Sequence, residues 1–284
     1  MKKAALNTIY AVFALASLLT SCGSPSNTTA GEANALPSAG TAAVDEQASP
    51  TPASPMHTPT PAAETSPAPK VKTPLYTMTS AYRFVPIDET VTSKKAVLLT
   101  FDDAPHNEEV INSLLDTLDK HKAKAIFFVN GYRVKQHPEL LKLIADRGQS
   151  VGNHSWDHID LKKEEPAKVE SQIADVQREV KALIGKEPLF FRPPYGSGGD
   201  TVKAAAKNHG MLFMTWSNGS LDWEQKAPGD PDKVIGNVLE QLHPGANILM
   251  HELKWTAAAL DGLLAKLEEK GYSFIDPETI QVSP

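Results

Sequence analysis

The chain has 284 residues, 41% of them hydrophobic and 22% charged, an ordinary balance for a globular protein. Its formal net charge of −6 offers no basic excess to a nucleic acid, so that class of partner is set aside. Cys22 is the single cysteine, which excludes an intrachain disulfide and a cysteine-rich zinc cluster.

The chain opens Met1-Lys2-Lys3 and runs through a mostly apolar stretch at 4–19, followed at once by Gly, Ser and Pro residues. A positive start before a hydrophobic run short for a membrane span has the layout of a bacterial export signal. Leu19-Thr20-Ser21-Cys22 resembles a lipobox, in which the signal is cut before the cysteine and the thiol takes a diacylglyceryl group. The plainer alternative is a secretory signal with an incidental cysteine. On the lipobox reading, 1–21 is a signal peptide and lipidation of Cys22 anchors an exported protein to the outer face of the cell membrane, facing the wall. Residues 22–73 are rich in Ala, Ser, Thr and Pro and contain no aromatic residue. Too little apolar area is available there to offset ordering entropy, so the segment is expected to be a disordered tether.

Residues 74–284 change character, and apolar runs alternate with amphipathic segments. Strand-like runs fall at 96–101, 125–129, 150–152, 189–191, 211–216, 247–251 and 272–275. Asn107 is placed to cap a helix carrying Val110, Ile111, Leu114, Leu115 and Leu118 on one side. Pro138 starts another, with Gly148 just beyond its end. A longer helix from Pro166 to the stop at Gly185 follows, and further helices fit 201–208, 231–242 and 256–270. This α/β alternation predicts a parallel sheet with outer helices: a distorted (β/α) barrel of about seven strands, or, as the alternative, an open doubly wound sheet.

Polar clusters recur just after these strands. Asp102 and Asp103 follow the first and His154 and His158 the third; Arg192 and Tyr195 follow the fourth, Asp222 and Trp223 the fifth, and His251 ends the sixth. In a parallel barrel such strand ends converge on one face. His154 and His158 are four residues apart, a spacing that puts both rings on one side of a helical turn. One carboxylate from Asp103 with two neutral imidazoles makes a three-ligand site for a divalent metal, zinc by preference, with a position left open. The bland alternative for the histidines is a satisfied core pair, and for the Asp pair a helix cap. If Asp103 ligates, Asp102 is close enough to take a proton from the ion's water.

Together these residues resemble the signature of the NodB-like polysaccharide deacetylases, carbohydrate esterase family 4. Thr100-Phe101-Asp102-Asp103-Ala104-Pro105 is similar to T-F-D-D-G-P, and His154-Ser155-Trp156-Asp157-His158 to H-[ST]-x-x-H. Arg192-Pro193-Pro194-Tyr195 matches R-x-P-Y, Ser220-Leu221-Asp222-Trp223 resembles the end of D-x-x-D-W, and Leu249-Met250-His251 fits L-x-H. The resemblance implies removal of acetyl groups from N-acetylglucosamine polymers or acetylated xylan. It implies Asp102 as general base, Asp103, His154 and His158 as ligands, and Arg192 orienting Asp102. The backbone N–H of Tyr195 stabilises the oxyanion, Pro194 and Asp222 belong to the groove motifs, Trp223 and Leu249 wall the pocket, and His251 is the general acid.

Two departures stand out. Ala104 replaces a glycine, which is tolerable if φ there is negative. Gly219 stands where the fourth motif begins with Asp, and this predicts an acid histidine lacking its usual carboxylate partner, with Glu252 as a partial substitute and a lowered His251 pKa. The expected substrate is a cell-wall glycan, peptidoglycan by location. The alternatives are a poly-N-acetylglucosamine or O-acetyl deacetylase, and a glycan-binding lipoprotein with weak catalysis. No protein partner is evident.

Overall fold

The computed structural model describes residues 72–226 and 228–282. The signal segment, Cys22 and nearly all of the tether lie outside these residues. In chain order, β1 (Tyr76–Met78) and β2 (Phe84–Pro86) form an antiparallel hairpin. There follow β3 (Ala96–Ala104), α1 (Glu108–Lys120), β4 (Ala125–Val129), α2 (Gly131–Gln136), α3 (Pro138–Asp146) and β5 (Ser150–Asn153). After α4 (Pro166–Ile184) come β6 (Phe190–Phe191), α5 (Asp200–Asn208), β7 (Leu212–Phe213) and β8 (Asn218–Gly219). The chain closes with α6 (Pro231–Glu240), β9 (Ala246–His251), α7 (Lys254–Glu269) and β10 (Ser273–Phe274).

Seven strands lie in the order β7-β6-β5-β4-β3-β9-β8, each neighbouring pair parallel. β10 adds to the start of β3, Ser273 opposite Ala96, below the point where β4 begins to pair at Leu99. The sheet curls, but the terminal strands β7 and β8 do not pair with one another, which leaves a half-barrel. The expected barrel is thus present in open form. The hairpin, β8 and the six-residue α2 were not anticipated, because two- and three-residue strands and a single-turn helix carry too little periodicity to read.

Period-two alternation along the central strands builds both the core and the site. On β3, Val97, Leu99 and Phe101 pack outward against α1 and α7 with Leu114, Leu260 and Leu264. Leu98 points to the other face and meets Ile126, Phe128, Phe190 and Met214 inside the curl. Thr100 and Asp102 continue that inner column. On β9, Ile248 and Met250 join the outer layer, leaving Asn247, Leu249 and His251 inward. The β3 inner column runs from Leu98 to Thr100 and Asp102, and the β9 inner column ends at His251, which places the chemistry at one rim.

The helices obey their punctuation. Asn107 Oδ1 accepts from Val110 N at 3.1 Å to cap α1, with Glu108 and Glu109 in the first turn against the positive end of the dipole. α4 ends at Gly185, whose φ of 72° is the left-handed conformation that favours glycine at this position.

Candidate active site

A cavity of about 740 Å³ opens at the C-terminal rim, lined among others by Asp102, Asp103, His154, His158, Tyr195, Trp223, Leu249 and His251. These are residues singled out from the sequence, contributed by five different strand ends. Arg192 lies beneath and is fully buried, while Pro194 is buried beside it.

Asp103, His154 and His158 offer ligand atoms that all lie within 4.8 Å of one another. Asp103 Oδ1 is 3.4 Å from His158 Nε2 and 3.8 Å from His154 Nε2. That oxygen is buried and makes no hydrogen bond among the described residues, a costly state for a carboxylate oxygen without a cation. His154 turns its Nδ1 to the Arg192 carbonyl at 2.7 Å, which directs Nε2 at the cluster. Burial would raise the Asp103 pKa, but the charges of His154, His158, His251 and Arg133 outweigh it and hold the carboxyl below its usual range. Burial holds His158 below the usual imidazole range, which favours the neutral, ligating form. One carboxylate and two imidazoles converging with an orphaned oxygen fit a divalent ion.

The histidine pair does not reach this geometry on a helical turn. His154 and His158 flank a loop in which Ser155 and His158 both adopt positive φ, 66° and 53°. A helix would stack the rings along its axis; the loop turns them inward with centroids 5.0 Å apart. Asp103 is itself left-handed at φ 64°, so it swings away from the strand while Asp102 keeps the β3 direction. Adjacent acids therefore face different partners. Ala104 is not among the positive-φ residues and fits as part of β3.

Asp102 is buried, and its Oδ1 accepts from Arg192 Nη1 at 2.6 Å. Arg192 also donates to Thr100 Oγ1, to Asn247 Oδ1 and to the Thr215 carbonyl, and its guanidinium sits 4.3 Å from the Phe128 ring centroid. Those contacts fix the guanidinium, so Asp102 Oδ1 is held and Oδ2 is left 3.6 Å from His154 Nε2. Thr100 and Asn247 were missed in the sequence, although their inward register with Asp102 and His251 could have flagged them.

The expectation that His251 lacks a carboxylate partner is overturned. Asp222, fully buried, accepts His251 Nδ1 on Oδ1 at 2.8 Å, and on Oδ2 accepts both the His251 backbone N–H at 2.7 Å and the Thr256 hydroxyl at 2.6 Å. Burial lowers the His251 pKa, but the hydrogen bond and charge of Asp222 outweigh it, so the net shift is upward. Gly219 faces two indoles: a Cβ there would meet Trp223 at 3.2 Å and Trp216 at 3.7 Å. Glu252 does not turn to His251 either. Its carboxylate accepts from the backbone N–H of His106, at 2.9 Å, and of Asn107, and burial pushes its pKa up to about 7. The reason is topological: Asp222 follows β8, which pairs directly with β9, so its side chain reaches the last residue of that strand.

Tyr195 has φ 59°, its ring is 4.7 Å from that of His158, and it is 68% exposed at the rim. Trp223 lies 5.3 Å from the His251 ring and packs edge-on to Trp216. Trp216 and Trp255 also line the cavity and were not anticipated.

A half-barrel of parallel strands with a carboxylate–histidine metal cluster between a buried Arg–Asp pair and an Asp–His pair defines a hydrolase-type centre. The family model for polysaccharide deacetylases matches residues 89–214, and the chain belongs to that family. It is 40% identical over 184 residues to the peptidoglycan-N-acetylglucosamine deacetylase PgdA of Listeria monocytogenes, an alignment covering 64% of this chain and 38% of that protein. It is 34% identical over 185 residues to the peptidoglycan-N-acetylmuramic acid deacetylase PdaA of Bacillus subtilis, covering 64% of this chain and 70% of that one. The chain thus spans less than two fifths of the Listeria protein. Among solved structures, a Bacillus anthracis protein described as a carbohydrate esterase family 4 pseudoenzyme superposes with a TM-score of 0.62 at 32% identity, covering 66% of this chain and 67% of that one.

Proposed function

We propose that this protein removes acetyl groups from N-acetylglucosamine residues of a cell-wall glycan, peptidoglycan by preference, using a divalent ion, zinc, held by Asp103, His154 and His158. The observation that carries the reading is the orphaned Asp103 oxygen facing two histidine nitrogens beside an otherwise complete acid–base pair. When bound, the ion supplies Lewis acidity and an acidic water. Asp102, held by Arg192, takes the proton of the attacking water as its oxygen bonds to the acetyl carbon. The N–H of Tyr195 faces the developing oxyanion. As the C–N bond breaks, His251 gives a proton to the departing amine, and Asp222 steadies the imidazolium. Trp223 and Leu249 hold the acetamido group's apolar face, with Pro194 supporting the Tyr195 turn.

The relatives' printed activities on peptidoglycan support the substrate class. Lipidation at Cys22 with a tether through 73 would place the enzyme outside the membrane and beside that polymer. The binding-only alternative rested on Gly219, and Asp222 supplies the carboxylate that Gly219 lacks. The deciding measurement is acetate release from purified peptidoglycan and N-acetylglucosamine oligomers, with and without chelator. Metal-dependent release is expected. A folded protein that releases none from either substrate overturns the proposal.

A further inference from the structure

The cavity has two chemically different sides. Its aromatic side comes from the segments after β7, β8 and β9, with Trp216, Trp223 and Trp255. Its other side comes from the segments after β3 and β4 and carries His106 and Arg133. Nothing in the reaction described above uses Arg133.

Arg133 is placed firmly. The N–H groups of Gly131 and Tyr132, at the start of α2, donate to the carbonyls of Ser155 and Trp156 in the histidine loop, at 3.1 and 3.2 Å. Trp156 covers Gly131 so closely that a Cβ there would sit 2.2 Å from its ring. Asn130, just before α2, donates Nδ2 to the His154 carbonyl at 2.9 Å. The backbone that bears Arg133 is therefore locked to the loop that bears His154 and His158.

The guanidinium itself is not used up by the protein. Its Nε donates to Tyr132 Oη at 2.7 Å, and it rests 5.5 Å from that ring's centroid. Among the described residues no carboxylate lies within 4.0 Å of it, and Nη1 and Nη2 have no hydrogen-bond partner. Its charge is felt by Asp103, His158, His106 and Glu252, which places it within Coulombic reach of the metal cluster. A half-buried guanidinium with a free edge facing a cavity is suited to a planar anion, which it can grip with two parallel N–H bonds.

We propose that Arg133, flanked by His106, is a specificity residue that selects glycans bearing a carboxylate next to the reacting acetamido group. The inference rests on the deacetylase reading and extends it from N-acetylglucosamine to the N-acetylmuramic acid residues of the same glycan. On an amino sugar the carbon beside the acetamido-bearing one is the natural attachment point for an acidic ether, as in muramic acid. With the acetyl group at the metal cluster, a carboxylate so attached sits on the same sugar ring, inside the cavity that Arg133 lines together with that cluster. Neutral chitin-type polymers have nothing to offer that cation. Arg133 thus favours the acidic wall glycan over the neutral homopolymers.

The test uses the full-length zinc-loaded protein on three oligosaccharides. They are a peptide-free wall glycan with free lactyl carboxylates, the same glycan with those carboxylates converted to methyl amides, and a chitin oligomer of equal length. The wild type is expected to prefer the free acid in kcat/KM. In Arg133→Gln that preference should fall about tenfold, mainly through KM, and Arg133→Lys should restore part of it. Calorimetric binding of the acid and the amide to the chelator-treated wild type and Arg133→Gln should show the same loss of preference. An acid-to-amide ratio that is the same in wild type and Arg133→Gln, in both assays, overturns the proposal and leaves Arg133 a structural residue. A wild type that deacetylates none of the three defeats the proposed function instead, and the binding comparison still decides the role of Arg133.

Discussion

Asp222 holds His251 by both carboxylate oxygens, one on the ring Nδ1 at 2.8 Å and one on the backbone N–H at 2.7 Å. The side chain's orientation and its protonation are thereby coupled to a single buried group. The raised pKa keeps the imidazole protonated to higher pH than a free histidine, so activity that needs the acid form persists as pH rises and is lost above that shifted value. Asp222→Asn removes the charge. Its kcat should fall by roughly 10²-fold or more, and the alkaline limb of the pH–rate profile should move to lower pH. A limb that stays in place would show that Asp222 does not set the acid's titration.

Gly219→Asp makes a contrasting variant. The new side chain would press on Trp223 and Trp216 rather than reach His251. The expected outcome is a raised KM with the alkaline limb unmoved. A limb shifted upward would place the new carboxylate beside the histidine after all.

Asp102 and Asp103 are adjacent yet should separate cleanly by mutation. Asp102→Asn is expected to bind zinc as the wild type does, while kcat drops by roughly 10²- to 10⁴-fold. Asp103→Asn should weaken zinc binding itself. Metal content after dialysis, measured beside acetate release, distinguishes them, and equal metal loss in both would contradict the assignment.

Adding zinc to chelator-stripped protein should raise Tm, because an ion bound only by the native state stabilises it by about 2.7 kcal/mol at a free concentration 100 times Kd. His154→Ala should abolish that increment. A rise of equal size in the variant would mean that the ion binds elsewhere.

Glu252 gives a pH-dependent stability with a definite sign. Its folded pKa of about 7 lies above the ordinary carboxyl value, so the folded state holds the proton more tightly than the unfolded chain. Its favourable contribution is full below the unfolded value and is lost as pH rises from about 4.5 to about 7. Glu252→Gln lacks this titration. The difference in Tm between variant and wild type should therefore grow in the variant's favour from pH 5 to pH 8. A constant difference would show that the buried carboxyl does not titrate in that window.

The outer architecture was legible because it depends on long runs. The segment at 125–129 is apolar throughout, those at 96–101 and 247–251 carry apolar runs of four and three residues, and helices such as α1 and α4 carry both a cap or stop residue and a full apolar stripe. β8 has two residues and follows no such rule. Missing it hid the pairing with β9 that brings Asp222 to His251, while the expected loss of a partner at Gly219 rested on the motif resemblance alone.

What the sequence by itself determined was the inventory: two acids, two histidines, a buried-type Arg and an acid histidine, each at the end of an apolar run. Alternation with period two then dictated which face each would occupy, because a strand cannot turn one side chain without turning its neighbours. The tertiary structure alone decided who partners whom. Positive φ at Asp103, Ser155 and His158 separates neighbours that periodicity would have kept together, and curling of the sheet brings Asp222 to His251 and leaves the Arg133 guanidinium free at the cavity. Such pairings depend on distances between strand ends that are far apart in the chain, and local pattern carries no record of those distances.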